Sequence, residues 1–219
     1  MKETNEEHFP APSIVAVLKF AAYLISKTFW FIKYQGREFI RGDSRGGFII
    51  AANHQTYIDP IWICLPIRHK LRFLAIEKAF SWRFVGPLIA YMGAIPVSHE
   101  PSGSITTMKS ALRALKQGAA LTVFPEGARQ FAHGGPLPFK SGAVGLALKA
   151  NVPILPVTIR GGNLIWPQKQ KYPRVFRRVE IIYHPPLQIT DDRSLTMDEN
   201  LEHWTTVLKK IIEEPRRGS

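Results

Sequence analysis

A histidine followed five residues later by an aspartate could do acid–base chemistry, and the chain has such a pair directly after an apolar run. The stretch is Asn53-His54-Gln55-Thr56-Tyr57-Ile58-Asp59. Five residues turn about 140° around a regular helix, so an intact helix would separate the two side chains. A tight strand-to-helix turn could instead bring Asp59 back onto the imidazole. A carboxylate placed there holds histidine in the tautomer that takes a proton from a hydroxyl. A plain turn with a helix cap would use the same residue types, so the spacing alone leaves both readings open. There is no Gly-x-Ser-x-Gly elbow, and the single cysteine lies in the apolar run Ile61-Trp62-Ile63-Cys64-Leu65. A covalent enzyme intermediate is therefore not indicated, and Cys64 reads as a small buried hydrophobe.

A second stretch, Val123-Phe124-Pro125-Glu126-Gly127-Ala128-Arg129, also ends an apolar run. Strand ends are where α/β sheets build sites. Arg129 suits a bidentate grip on phosphate. Glu126 can position the guanidinium or a substrate hydroxyl, and Gly127 lets the backbone approach a ligand. The plainer alternative is a surface turn with an ordinary ion pair. A third stretch, Phe139-Lys140-Ser141-Gly142, reads as a helix start with a lysine at its mouth, where backbone N–H groups could bind an anion.

Charge favours the phosphate reading. The 219 residues carry a formal net charge of +12, and residues 101–179 hold 12 Lys+Arg against one acid, Glu126. An idle surface would mix signs. Such an excess speaks to anionic partners rather than to fold. With 45% hydrophobic residues, 13 Phe and 5 Trp the chain has ample material for a core, which excludes a disordered protein. One cysteine excludes an internal disulfide, and no Cys cluster suggests zinc; no metal or cofactor is expected.

The elements that must position these residues can be read from periodicity. Apolar runs at 47–52, 71–76, 93–97, 119–124, 153–159 and 179–184 read as strands, with Pro153 and Pro156 placing the fifth at an edge or its ends. Residues 104–117, 141–150 and 197–213 read as helices, and 162–178 as a long loop holding Trp166, Tyr172 and Phe176. Strands alternating with helices predict an α/β fold, a single domain with a central mixed sheet flanked by helices. Its expected span is 36–214, after a polar tail (1–12) and a helical segment (13–35), and before a flexible tail (215–219). In the helical segment Lys19, Tyr23, Ser26 and Lys27 form a polar stripe on a large apolar face, with Phe29, Trp30 and Phe31 crowded at one end. This resembles a helix lying in a membrane interface; a core helix or a span are the alternatives. Lys27, Lys33, Arg37 and Arg41 would favour anionic headgroups.

Taken together, the stretches resemble the lysophospholipid acyltransferase family, typified by 1-acylglycerol-3-phosphate acyltransferase. Its Asn-His-x4-Asp block is matched by Asn53, His54 and Asp59. Its Gly-x-Ile-x-x-x-Arg block is matched by Gly93 and Ile95, and its Phe-Pro-Glu-Gly-Thr-Arg block by Phe124, Pro125, Glu126, Gly127 and Arg129. Its Val-Pro-Ile-x-Pro-Val block is matched by Val152-Pro153-Ile154-Leu155-Pro156-Val157. Ala128 replaces the family's Thr. His99 stands where the second block has its phosphate-binding Arg, so His99 or another basic residue takes that role.

The resemblance implies fatty acyl transfer from acyl-CoA or acyl carrier protein to 1-acylglycerol 3-phosphate, giving phosphatidic acid. His54 and Asp59 would be catalytic, and Asn53, Glu126, Gly127, Arg129, Lys140 and His99 substrate-binding. The thioester is a co-substrate and no cofactor is implied. The protein would sit on membrane lipids, peripheral or monotopic, at the cytoplasmic face of the inner membrane. Alternatives keep the chemistry with another lysophospholipid, glycerol 3-phosphate or a lyso-aminolipid as acceptor. A more distant one is a non-enzymatic basic module for membrane or nucleic acid, although no nucleic-acid partner is expected.

Overall fold

Phe48–Ala52 and Ala120–Val123 have no polar alternation because both faces of these strands are covered, as in parallel sheets. The computed structural model describes residues 10–40, 46–98, 101–129, 137–166 and 170–216. Among them, seven strands form one sheet: β1 (Lys33–Gln35), β2 (Phe48–Ala52), β3 (Leu71–Ile76), β4 (Ile95–Val97), β5 (Ala120–Val123), β6 (Ile154–Arg160) and β7 (Glu180–Tyr183). Their order is β1-β7-β6-β2-β5-β3-β4. All neighbours are parallel except β6 and β7, so the sheet is mixed, as expected.

The helices are α1 (Pro12–Trp30), α2 (Asp59–Cys64), α3 (Glu77–Phe80), α4 (Val85–Tyr91), α5 (Pro101–Lys116), α6 (Gly142–Ala150), α7 (Gly162–Ile165) and α8 (Met197–Glu213). One sheet face carries Ile49, Ala51, Leu121 and Val123 under residues of α5, α6 and α8. The other carries Phe48, Ile50, Val157 and Ile159 under Trp62 and Ile63 of α2 and Trp30 of α1. Cys64 is buried there, its sulfur 3.6 Å from the Thr122 hydroxyl, and burial pushes its thiol pKa up. It is the small inert hydrophobe that its neighbours predict.

Three expectations are corrected. The strand at 153–159 is not at an edge: β6 lies between β7 and β2. Pro156 is accommodated because the β6–β7 ladder stops at Val157 and Tyr183, and beyond it the Pro156 carbonyl still accepts from the His184 amide. Its missing N–H therefore falls at the ladder's end. The segment 13–35 is not wholly helical: Lys33–Gln35 joins the sheet as an edge strand beside β7. Finally, Pro215 and Arg216, at the start of the supposed flexible tail, belong to the 3-10 turn Glu214–Arg216 that continues α8; residues 217–219 lie outside the described residues.

α1 is inverted with respect to an ordinary surface helix. Of its 19 residues only Ser26 and Trp30 are buried. The Lys19 ammonium donates to the Ile67 carbonyl, and the Ser26 hydroxyl accepts from the Trp62 indole at 3.1 Å. Lys19 and Ser26 of the polar stripe thus face the protein, while Tyr23 and Lys27 stay exposed and Val17, Phe20 and Leu24 stand 68%, 65% and 48% exposed. The helix is long and apolar enough to cross a membrane by length and composition.

Candidate active site

β2 and β5 lie side by side and run parallel, yet their chains leave in opposite directions. After β2 the chain passes to α2 on one face, and after β5 it passes to α6 on the other. Parallel neighbours whose connections diverge open a crevice at their carboxyl ends. The 53–59 and 124–129 stretches both sit there.

Asn53 ends β2 fully buried. Its amide donates to the Ile159 carbonyl at 3.0 Å and accepts from the Ile159 N–H at 2.7 Å, which ties β2 to the end of β6. Both groups of its amide are thus engaged by backbone, which gives Asn53 a positioning role in the crevice.

The chain then turns without helix until Asp59, the first residue of α2, whose carboxylate folds back over the turn. It accepts from the Gln55 amide at 2.5 Å and the Thr56 amide at 2.7 Å, and from the Thr56 hydroxyl at 2.7 Å. Its Oδ2 lies 2.9 Å from Nδ1 of His54. This is the tight turn that the five-residue spacing required. A carboxylate only accepts, so Nδ1 carries the hydrogen and Nε2 keeps a lone pair. Asp59 is fully buried, while the imidazole keeps 18% exposure. The ring of Phe124 stacks on the imidazole, with centroids 4.0 Å apart and planes inclined by 18°.

Arg129 is held by Tyr57. Its guanidinium carbon lies 3.4 Å from the Tyr57 ring centroid. Trp82 and Trp166 meet the same ring edge-on, each with centroids 5.4 Å away. Burial pulls the Arg129 pKa below its ordinary value, with Tyr57 and Asp59 acting the other way. Its Nη1 is buried and meets no hydrogen-bond acceptor among the described residues. Native proteins rarely leave such a donor unmet unless a ligand or water completes it. Two stacks, His54 on Phe124 and Arg129 on Tyr57, therefore lock the two stretches together.

The remaining predicted residues fall around this pair of stacks. Glu126 is buried at 4% exposure, unlike an idle surface carboxylate. Gly127 turns with φ +69°, and a Cβ there would stand 3.1 Å from the Lys140 ammonium. Lys140 is tied to the same turn by its amide, which donates to the Pro125 carbonyl at 2.9 Å. His99 lies outside the described residues. Gly93, from the same block, has φ +75° and lies under Arg72, whose Nη1 would be 1.5 Å from an added Cβ. The glycine there is demanded by a buried arginine.

Sequence reasoning missed the stacking role of Phe124 and missed Tyr57 altogether. Both lie inside the quoted blocks, so an aromatic at each position was visible. Trp82 and Trp166 come from distant segments and carry no local signal.

A family model described as acyltransferase matches residues 31–160, a span holding all four blocks. The chain belongs to the acyltransferase family. A 1-acyl-sn-glycerol-3-phosphate acyltransferase of Bacillus subtilis is 27% identical over 84% of this chain and 87% of that protein. The enzyme of the same name from Streptococcus pneumoniae is 31% identical over 78% of this chain and 60% of that protein. A chloroplastic one from Brassica napus is 29% identical over 64% of this chain. The acyltransferase spans only 40% of that plant protein's length. The crystal structure of the 1-acyl-sn-glycerophosphate acyltransferase PlsC from Thermotoga maritima superimposes with a TM-score of 0.71. It is 26% identical, covering 94% of this chain and 79% of that one.

Proposed function

We propose that this acyltransferase moves a fatty acyl group from an acyl thioester to the free hydroxyl of 1-acylglycerol 3-phosphate, giving phosphatidic acid. The observation that carries the reading is the double stack, which brings a histidine base and a guanidinium with an unmet buried Nη1 to the same crevice. The names of the relatives supply the acceptor.

On this reading Arg129 and Lys140 take the phosphate, with Gly127 leaving room for it. The acceptor hydroxyl then lies within reach of His54. As the hydroxyl oxygen bonds to the thioester carbon, Nε2 takes its proton, and Asp59 stabilises the imidazolium. The tetrahedral species collapses with cleavage of the carbon–sulfur bond, and the thiolate leaves with that proton. Such general base catalysis contributes roughly 10²–10⁴-fold, and holding both substrates together adds to it. A thioester is already activated, so the transfer asks for no cofactor. Coenzyme A and acyl carrier protein are both anionic and would suit the basic middle of the chain. The outward apolar face of α1 supports a position in the surface of a bilayer, where the acceptor resides; on this reading the enzyme is a peripheral or monotopic protein of the cytoplasmic face.

The test is competition. One labelled acyl-CoA is offered with 1-acylglycerol 3-phosphate, glycerol 3-phosphate, other lysophospholipids and a lyso-aminolipid, and products are read by mass spectrometry. Phosphatidic acid should dominate. Acylation of another acceptor while 1-acylglycerol 3-phosphate stays unconsumed would overturn the assignment.

A further inference from the structure

Two aromatic residues adopt a backbone conformation that bulky side chains avoid, and they are neighbours. Phe31, which ends α1, has φ +42°, and Phe176 has φ +57°. Glycine is the usual residue at such a helix end, and a bulky residue there is an outlier that calls for a reason. The two rings lie 6.4 Å apart, and Phe29 lies 6.3 Å from Phe176. Burial is not the reason, because Phe31 and Phe176 are 48% and 63% exposed.

The segment carrying Phe176 is sewn onto α1. The Phe176 amide donates to the Phe29 carbonyl at 2.7 Å, the Trp30 indole donates to the Arg174 carbonyl at 2.8 Å, and the Val179 amide donates to the Trp30 carbonyl at 3.1 Å. Residues 170–178 are thereby fixed beside the end of the inverted helix. They present Tyr172, Val175 and Phe176 together with exposed Lys171, Arg174, Arg177 and Arg178. Exposed Lys27 adds to the same end of α1. Aromatic rings ringed by arginine and lysine are the chemistry of an anionic bilayer surface, where rings enter the headgroup layer and cations meet phosphates.

We propose that the end of α1 and residues 170–178 form one composite anchor selective for an anionic lipid bilayer. The proposal rests on the membrane placement given above and adds to it a second, sequence-distant segment and a charge preference. The anchor is coupled to the site. Trp166 donates to the Gln170 carbonyl at 3.0 Å and also meets Tyr57, on which Arg129 stacks. Docking this face would set the mouth of the site against the leaflet that holds the acceptor.

Co-sedimentation with vesicles tests it, using phosphatidylcholine alone and phosphatidylcholine mixed with phosphatidylglycerol in equal parts. The full chain should prefer the anionic vesicles. The exposed-site variant R174Q/R177Q/R178Q should lose on the order of a hundredfold in affinity for them, about fivefold per charge removed. Its binding to phosphatidylcholine and its turnover in detergent micelles should stay unchanged. F176S should weaken binding to both vesicle types. Equal pelleting of the triple variant and the parent on anionic vesicles overturns the anchor while leaving the membrane placement intact. Failure of the parent to pellet with any vesicle overturns the placement and the anchor together. A shift of a DNA duplex without pelleting on anionic vesicles assigns the basic patch to nucleic acid instead and overturns the proposal.

Discussion

Asp59 does two jobs with one carboxylate. It sets the tautomer of His54, and it is the buried acceptor for two backbone N–H groups of the turn. The two roles separate by mutation. His54→Ala removes the base and should lower turnover by at least about a hundredfold, with circular dichroism unchanged; near-normal thioester release would sink the assignment. Asp59→Ala should also lower the melting temperature, because each buried donor left unmet costs about 1–3 kcal/mol. A loss of about 3 kcal/mol would show as a Tm lower by roughly 6–12 °C for a chain of this size. Asp59→Asn keeps an acceptor in the turn and should recover most of that Tm while leaving turnover low. A different residue contributes a pH dependence to stability. The Thr158 hydroxyl donates to the Ile212 carbonyl, so it accepts from His184, whose Nε2 lies 2.8 Å away. Burial lowers the His184 pKa below its ordinary 6.5. The unfolded chain therefore binds more protons as pH falls through about 6.5, and stability declines until the folded-state pKa is passed. His184→Gln keeps the N–H donor and should flatten that slope in Tm measured against pH.

At the scale of elements, α1 shows how one periodicity admits two placements. A polar stripe on an apolar helix was legible in the residues, but not which side meets the protein. Here Lys19 and Ser26 find partners in the Ile67 carbonyl and the Trp62 indole, which leaves the apolar side outward. Substituting serine for Val17, Phe20 and Leu24 should cut pelleting with phosphatidylcholine vesicles strongly without lowering Tm, since none of the three packs on the core. Deleting α1 would be a poorer test because it strips Trp30 from Trp62, whose rings lie 5.6 Å apart. α8 is the contrary case, where local signals sufficed. Its capping box at Thr196 and Glu199 fixes the start, and the stripe of Leu201, Trp204, Leu208 and Ile212 fixes the face that packs on the sheet.

For the whole molecule, the charge of +12 acts as a field. Screening shrinks its reach from ~30 Å at 0.01 M salt to ~3 Å at 1 M. In detergent micelles, where vesicle binding plays no part, kcat/KM for acyl-CoA should fall across that range while kcat changes little. An unchanged kcat/KM would show that the basic middle of the chain does not draw in the donor. By itself the sequence determined six of the seven strands, the long helices, the tight turn that a His54–Asp59 pairing would need and the suitability of Arg129 for a phosphate. Each rests on local periodicity or on what a residue type can do. Only the tertiary structure decided the interior place of β6, the backbone role of Asn53, the inward Lys19 and Ser26 of α1 and the aromatic cluster that holds Arg129. Trp82 and Trp166 converge on Tyr57 from segments far apart in the chain. Such contacts depend on which strands become neighbours, and strand order is a property of the closed sheet that no local pattern encodes.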